Sequence, residues 1–347
     1  MLFSFRTTEL SLQSDKALTQ GRVGCWCDIS SFDPKKGDYT FDIFRHRGNL
    51  TKMLRPILPE FYTDSGRCDV PSPSDLEELD AIVIDIRDSG CRYSPETLDV
   101  MRLLSSCARM ETPPSVYIVD HPNPAGRDVE GSIPSVTADP WTPKVAHRHG
   151  LTLGELCQLY CDEIEAKFPL HVISAELSPW TSDLIDKSRS DLRVISGSLL
   201  WEHTSISPAF GAPNAYEYFG APWIDTEHAA QLPLIEGVVL RPCRFVPNEG
   251  RYAGETCGGY QILLKDGVRC HSLLYALTLM GHFTTHYSQF ELSPELHDVL
   301  ADPVMSEYLR GGIDMDIVQE HIKAEEQRWI RKARRFLLYD ESPLRIK

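Results

Sequence analysis

LDAIVIDI (residues 79–86) is a continuous apolar run that gives way to polar loop residues, the pattern of a strand buried on both faces. The stretch from Pro95 to Met110 has helical spacing, and SVYIVD (115–120) is a second apolar run. Strand, helix, strand predicts a parallel sheet. Each run ends in an acid that opens a loop, Asp85 to Arg92 and Asp120 to Glu130. Ligands of such sheets gather beyond the carboxyl ends of the strands.

Outward from this unit the alternation continues. RVGCWCDIS (22–30) reads as a buried first strand, Tyr39 to Leu54 as a helix, and Pro56 to Glu60 as a short second strand. After Gly150, Thr152 as N-cap and Glu155 at the capping-box position predict a helix to about Phe168, followed by a strand from His171 to Leu177. The first domain is expected to span residues 1–225. The second, 226–347, contains VVLRPCRFVPNEGRYAGETCGGYQILLK (238–265), a helix around Leu273 to Phe283 and a long helix from about Asp314 to Leu338. In the 238–265 segment Gly258 and Gly259 permit a tight turn or close approach to a ligand, while Arg241 and Tyr252 offer a donor fork and a flat ring suited to a sugar. The plain alternative is a β-hairpin with turn glycines.

The chain has 347 residues, 42% of them hydrophobic and 24% charged, a normal globular balance. Its formal net charge of −15 argues against nucleic acid, since phosphate backbones are bound by lysine and arginine with counterion release. A local arginine cluster can still take one carboxylate. MLFSFRTTELSLQSDK (1–16) has neither the basic start nor the apolar run of an export signal, and no window has the length of a membrane span. As written, the chain is expected to be cytoplasmic, or periplasmic or secreted if a leader has been removed. The ten cysteines are scattered, and neither Cys25 with Cys27 nor Cys157 with Cys161 has a second pair at zinc-finger spacing, so reduced thiols and no zinc are expected. His147 and His149 in HRHG lack a third ligand nearby and read as loop hydrogen-bonding residues. No phosphate-binding glycine loop and no G-x-S-x-G occurs, which disfavours a dinucleotide and a serine triad. No cofactor is expected, and the oligomeric state is not set by these features.

The polar loops carry a resemblance over nearly the whole chain. DAIVIDIRDSGCRY (80–93), YIVDHPNPAGRDVEG (117–131), HRHGLTLGEL (147–156), FGAPWID (219–225), the RPCRFVP to CGGYQI segment and RKARRFLLY (331–339) together resemble the exo-β-N-acetylmuramidase family, glycoside hydrolases once catalogued as a domain of unknown function. The resemblance implies a Rossmann-like parallel-sheet domain followed by a smaller α/β auxiliary domain, with the cleft where they meet. The implied partner is carbohydrate, a peptidoglycan fragment from which terminal N-acetylmuramic acid is removed.

Glycoside hydrolysis needs an acid to protonate the leaving oxygen and usually a second carboxylate to activate water or attack the sugar. The family's Pro-Glu-His-Gly motif aligns with Pro59-Glu60-Phe61-Tyr62, which implies Glu60 as the catalytic acid or base. Its apolar neighbours would raise a carboxyl pKa toward the working range. In SLLWEHTSISPAFGAPNAYEYFGAPW, Glu202 keeps the family's first acid. Pro208, Phe210 and Asn214 stand where the family has a glutamate and two arginines, so charge-assisted bonds of about 1.5–3 kcal/mol each are missing. Asp28, Asp88 and Glu130 are strand-end or loop acids able to face the cleft; Asp85 and Asp120 read as strand-end residues bonding loop amides. Arg92 is expected to bind a substrate carboxylate or to hold Asp85. Asn123 and His149, in the matched segments, complete the substrate-binding set with Arg241 and Tyr252. The competing reading is a degenerate paralogue that binds carbohydrate without turnover.

Overall fold

The computed structural model describes residues 2–7, 15–28, 31–33, 36–55, 70–134, 137, 141–174, 192–212, 214–226, 232–265, 268–339 and 344–346. The strands are β1 (Leu2–Thr7), β2 (Val23–Cys27), a small ribbon of β3 (Phe32–Asp33) and β4 (Asp38–Tyr39), then β5 (Leu50–Met53), β6 (Ala81–Asp85), β7 (Ser115–Asp120) and β8 (Pro169–Ser174). Apart from the ribbon they form a six-stranded sheet in the order β1-β8-β7-β6-β2-β5. Every pairing in it is parallel.

Burial on both faces explains the unbroken apolar runs. Ile82 and Ile84 of β6 point into a core shared with Leu104, Leu156 and Trp329, while Ala81 and Val83 face Phe41 and Phe44 on the other side. The helix Pro95–Ala108 begins with proline in its first turn, where no amide partner is lost, and buries Val100, Met101, Leu103, Leu104 and Cys107. The expected capping box is present: the Glu155 amide donates to Thr152 Oγ1 at 3.2 Å, and Glu155 Oε2 accepts from the Thr152 amide at 2.9 Å. That helix ends at Glu163, ahead of the expected Phe168.

One element differs in kind. The helix expected over Tyr39 to Leu54 covers only Thr40–Arg47, because Gly48 takes a left-handed φ of 78° and turns its amide back to the last carbonyls. The chain then runs as β5 on the sheet edge, and the strand expected at Pro56 to Glu60 lies outside the described residues. β1 was not anticipated; it adds to the opposite edge beside β8.

A three-stranded antiparallel sheet contains β9 (Tyr218–Ala221), β10 (Val238–Phe245) and β11 (Cys257–Leu264), in the order β10-β11-β9. The 238–265 segment is indeed a hairpin, but Gly258 and Gly259 lie within β11 rather than in its turn. A Cβ on either would come within 2.2 Å of a backbone oxygen, that of Ile224 or Phe219. The close approach that needs glycine here is to neighbouring backbone. Gly259→Ala should therefore destabilise the protein by about 1–3 kcal/mol, the range of overpacking, read as a lower denaturation midpoint at unchanged slope.

Val194, Trp201, Phe219 and Ile224, assigned by sequence to the first domain, pack in a second core with Tyr260, Leu277 and Phe283. Strand pairing explains this, since β9 bonds to β11. The last helix, Met315–Ala333, joins the two cores: Val318 and Ile322 belong to the second, Trp329 and Ala333 to the first. Its basic end reaches Asp162 and Glu163, with Arg335 at 2.7 Å and Lys332 at 2.5 Å. No helix among the described residues is long and apolar enough to cross a membrane.

Candidate functional site

The chain leaves β2 toward the edge strand β5 and returns on the other side of β2 as β6, so the strand order reverses between β2 and β6. The crevice outside the carboxyl ends at such a reversal is where an open α/β sheet holds its ligand. Asp28 follows β2 and Asp85 ends β6; the Asp28 amide donates to the Asp85 carbonyl at 3.2 Å. Asp85 was expected to bond loop amides. Its buried carboxylate instead accepts from the Thr40 hydroxyl and meets His121 Nε2 at 2.7 Å. Burial alone would lower the His121 pKa, but the Asp85 charge and hydrogen bond outweigh it and raise it above the ordinary value. This pair, with Thr40, went unrecognised in the sequence; a histidine directly after a strand-end aspartate was the available signal.

Neighbouring loops carry the other acids. Asp120, at the end of β7, accepts from the Gly154 amide at 2.8 Å and from the hydroxyls of Thr152 and Tyr339 at 2.7 Å each. Burial pushes its carboxyl up to about 6 despite these donors. Asp88 is buried; Thr97 donates to it, and its Oδ2 lies 3.2 Å from His149 Nε2. The Leu151 amide donates to His149 Nδ1 at 3.1 Å, which leaves Nε2 as the ring nitrogen turned toward Asp88. His149 is fully buried and its carbonyl accepts from Trp329 Nε1 at 2.9 Å, which makes it a link to the last helix. His147, pushed down to about 4 by burial and by Arg92, meets the Ser196 carbonyl at 2.6 Å.

Two expected ligand residues tie the halves of the chain together. Arg92 is 1% exposed and neither holds Asp85 nor faces solvent: its terminal nitrogens donate to the carbonyls of Ser132 and Val145 at 2.8 Å and of Leu300 at 3.0 Å. Glu130 is likewise 1% exposed. Arg148 donates to it at 2.8 Å, Ser272 at 2.5 Å and the Leu273 amide at 3.0 Å, which places its charge at the N-terminus of the helix Ser272–His286. Asn123 shapes its own loop, accepting from the Ala125 amide and donating to the Leu151 carbonyl, both at 2.8 Å.

Glu202 lies on a short 3-10 turn, Leu199–His203, and accepts from the Tyr216 hydroxyl at 2.5 Å. Burial and Glu202 push the Tyr216 phenol up, so it remains a donor. Phe210 packs edge-on against Tyr216, and Asn214 donates to Glu217 at 2.9 Å. Tyr252 has a positive φ of 64° and bonds the Ser205 carbonyl at 3.0 Å, while Arg241 pairs across the hairpin with Gln261. Glu60 lies outside the described residues. The structure thus brings Asp28 and Asp85 together, buries Asp88, Arg92, Glu130 and His149, and puts Arg241 on the second sheet.

A cavity of about 580 Å³ opens along the same sheet edge at the ends of β7 and β8, lined by Asp120, Asn123, Arg127, Arg148, Tyr339 and Arg345 among others. It is offset from the β2/β6 reversal, where the backbones of Asp28 and Asp85 meet. Among the described residues no group of three or more histidine, cysteine or acidic side chains is arranged to hold a metal, and the nine described cysteines form no disulfide.

Strand order defines a parallel α/β protein with acids at its strand ends. The chain belongs to the exo-β-N-acetylmuramidase NamZ family: the model of its N-terminal domain matches residues 58–192 and that of its C-terminal domain residues 193–339. A relative, peptidoglycan β-N-acetylmuramidase NamZ of Bacillus subtilis (strain 168), is 24% identical over 304 residues, covering 80% of this chain and 72% of that protein. Two crystal structures of DUF1343 family proteins from Bacteroides fragilis NCTC 9343 share the fold. One superposes with a TM-score of 0.72 at 19% identity over 95% of this chain and 97% of its own. The other has a TM-score of 0.70 at 17% identity with the same coverage.

Proposed function

We propose that this protein is an exo-acting glycosidase that hydrolyses a terminal amino sugar, N-acetylmuramic acid or a close relative, from the non-reducing end of peptidoglycan fragments. Glu60 serves as general acid or base and Glu202 as the partnering or positioning carboxylate. The observation that carries this reading is the consecutive match of both family domains over residues 58–339.

One observation favours carbohydrate binding without turnover: the 208–217 loop closes on itself through Phe210, Tyr216, Asn214 and Glu217 where the family resemblance implies charged groups. A single assay separates the two. The protein is incubated with a disaccharide bearing N-acetylmuramic acid at its non-reducing end and with one bearing N-acetylglucosamine there, and released monosaccharide is quantified. Release of N-acetylmuramic acid from the first alone is expected; saturable binding of the first without release would replace the hydrolase by a binding protein.

A further inference from the structure

The cavity at the ends of β7 and β8 is rich in arginine, and its arginines differ in how far they are engaged. Arg127 lies on Glu155 through both terminal nitrogens, one contact at 3.0 Å, and Arg148 is held by Glu130 and the Ala125 carbonyl. Those charges are matched from behind. Asp128 stands 3.8 Å from Arg148 and 3.9 Å from Arg269, so it too is shared among cations. Arg193 and Arg345 are exposed members of the lining. Arg345 is anchored by its backbone, its amide donating to the Arg127 carbonyl at 3.0 Å and its carbonyl accepting from the Val129 amide at 2.8 Å. Its guanidinium has no hydrogen bond or ion pair among the described residues.

The remaining acid is weakened as a competitor. Asp120 turns its charge toward protein donors, the Gly154 amide and the hydroxyls of Thr152 and Tyr339, which offset part of its repulsion of an anion. The volume, about 580 Å³, lies within the range of small-molecule sites, roughly 300–1,000 Å³. An arginine fixed through its backbone, with its donor fork open, suits bidentate capture of a planar carboxylate.

We propose that this cavity binds the carboxylate of an acidic sugar and that Arg345 makes the charge contact. The identity of the sugar, N-acetylmuramic acid, rests on the glycosidase reading above; the preference for an anion rests on the cavity itself. This recognition lies at the β7/β8 ends, away from the 208–214 loop where the family arginines are missing.

Isothermal titration of the whole protein with free N-acetylmuramic acid, N-acetylglucosamine and inorganic phosphate tests the proposal, using the native chain and Arg345→Glu. N-acetylmuramic acid should bind at least about 10-fold more tightly than N-acetylglucosamine, and Arg345→Glu should remove that preference while leaving the thermal midpoint unchanged. Equal binding of the two sugars, or a preference that survives Arg345→Glu, would overturn it. Tighter binding of phosphate than of N-acetylmuramic acid, abolished by Arg345→Glu, would reassign the cavity to a phosphate group and overturn the carboxylate. The disaccharide assay is scored separately: an Arg345-dependent preference without hydrolysis leaves this site standing and removes the glycosidase, whereas hydrolysis without the preference does the reverse.

Discussion

Glu130→Ala is expected to lower the stability of the protein by about 3–5 kcal/mol, a large fraction of what a folded chain possesses. Arg148, 1% exposed, would lose its main counter-charge, and Ser272 and the Leu273 amide at the start of a helix would lose their acceptor. A denaturation curve should show the loss in full, because the contact joins residues of the first loop layer to the helix that organises the second core. The double variant Glu130→Leu with Arg148→Met is expected to cost less than the sum of the single changes, since neither charge is then left unpaired. Strict additivity would show that the pair is not coupled and that the contact is mere proximity.

The pH dependence has a definite sign. Burial by itself would raise the Glu130 pKa, but His271, Arg148, Ser272 and the Leu273 amide reverse this and hold it at about 2. A carboxyl depressed in the folded state contributes stability above its unfolded value, near 4.3, and that contribution is lost as pH falls from there toward 2. Stability measured from pH 6 to pH 3 should fall more steeply in the native chain than in the double variant.

Glu60→Gln is expected to lower the release of N-acetylmuramic acid by about 10²–10⁴-fold, the usual contribution of a positioned general acid or base, with the unfolding midpoint unaltered. Glutamine keeps the shape and one acceptor but cannot carry the proton. Glu202→Gln should cost less if Glu202 positions and as much if it shares the chemistry. Unchanged turnover in Glu60→Gln would move catalysis to the carboxylates at the sheet reversal, with Asp85 and its partner His121 first among them.

Local sequence carried much of the fold. β6 and β7 were legible because parallel strands buried on both faces must be apolar throughout, and the Thr152–Glu155 box was legible because it satisfies neighbouring amides within one turn. β5 was harder: Leu50–Met53, on a sheet edge, is only partly buried and follows a helix with only Gly48 to mark the change. Gly258 and Gly259 were singled out for a tight turn or an approaching ligand, but what approaches them is the backbone at Ile224 and Phe219, from other elements.

The site divides in the same way. That acids stand at strand ends follows from the order of residues, and the family followed from the loops between them. Whether a polar residue faces a ligand or the protein interior did not. Arg92, Glu130 and His149 have the chemistry of ligand-binding groups, and each is buried against a segment distant in sequence, at Leu300, Ser272 and Trp329. His121 and Arg345 gained interest only from their surroundings, a buried aspartate in one case and a cavity in the other. The sequence alone determined the parallel α/β architecture, the position of its loops and the family, because buried strands and caps are governed by nearest neighbours along the chain. The tertiary structure alone decided which charges are matched internally and which remain open to a ligand, because electrostatic pairing depends on distances that the chain sets only by folding.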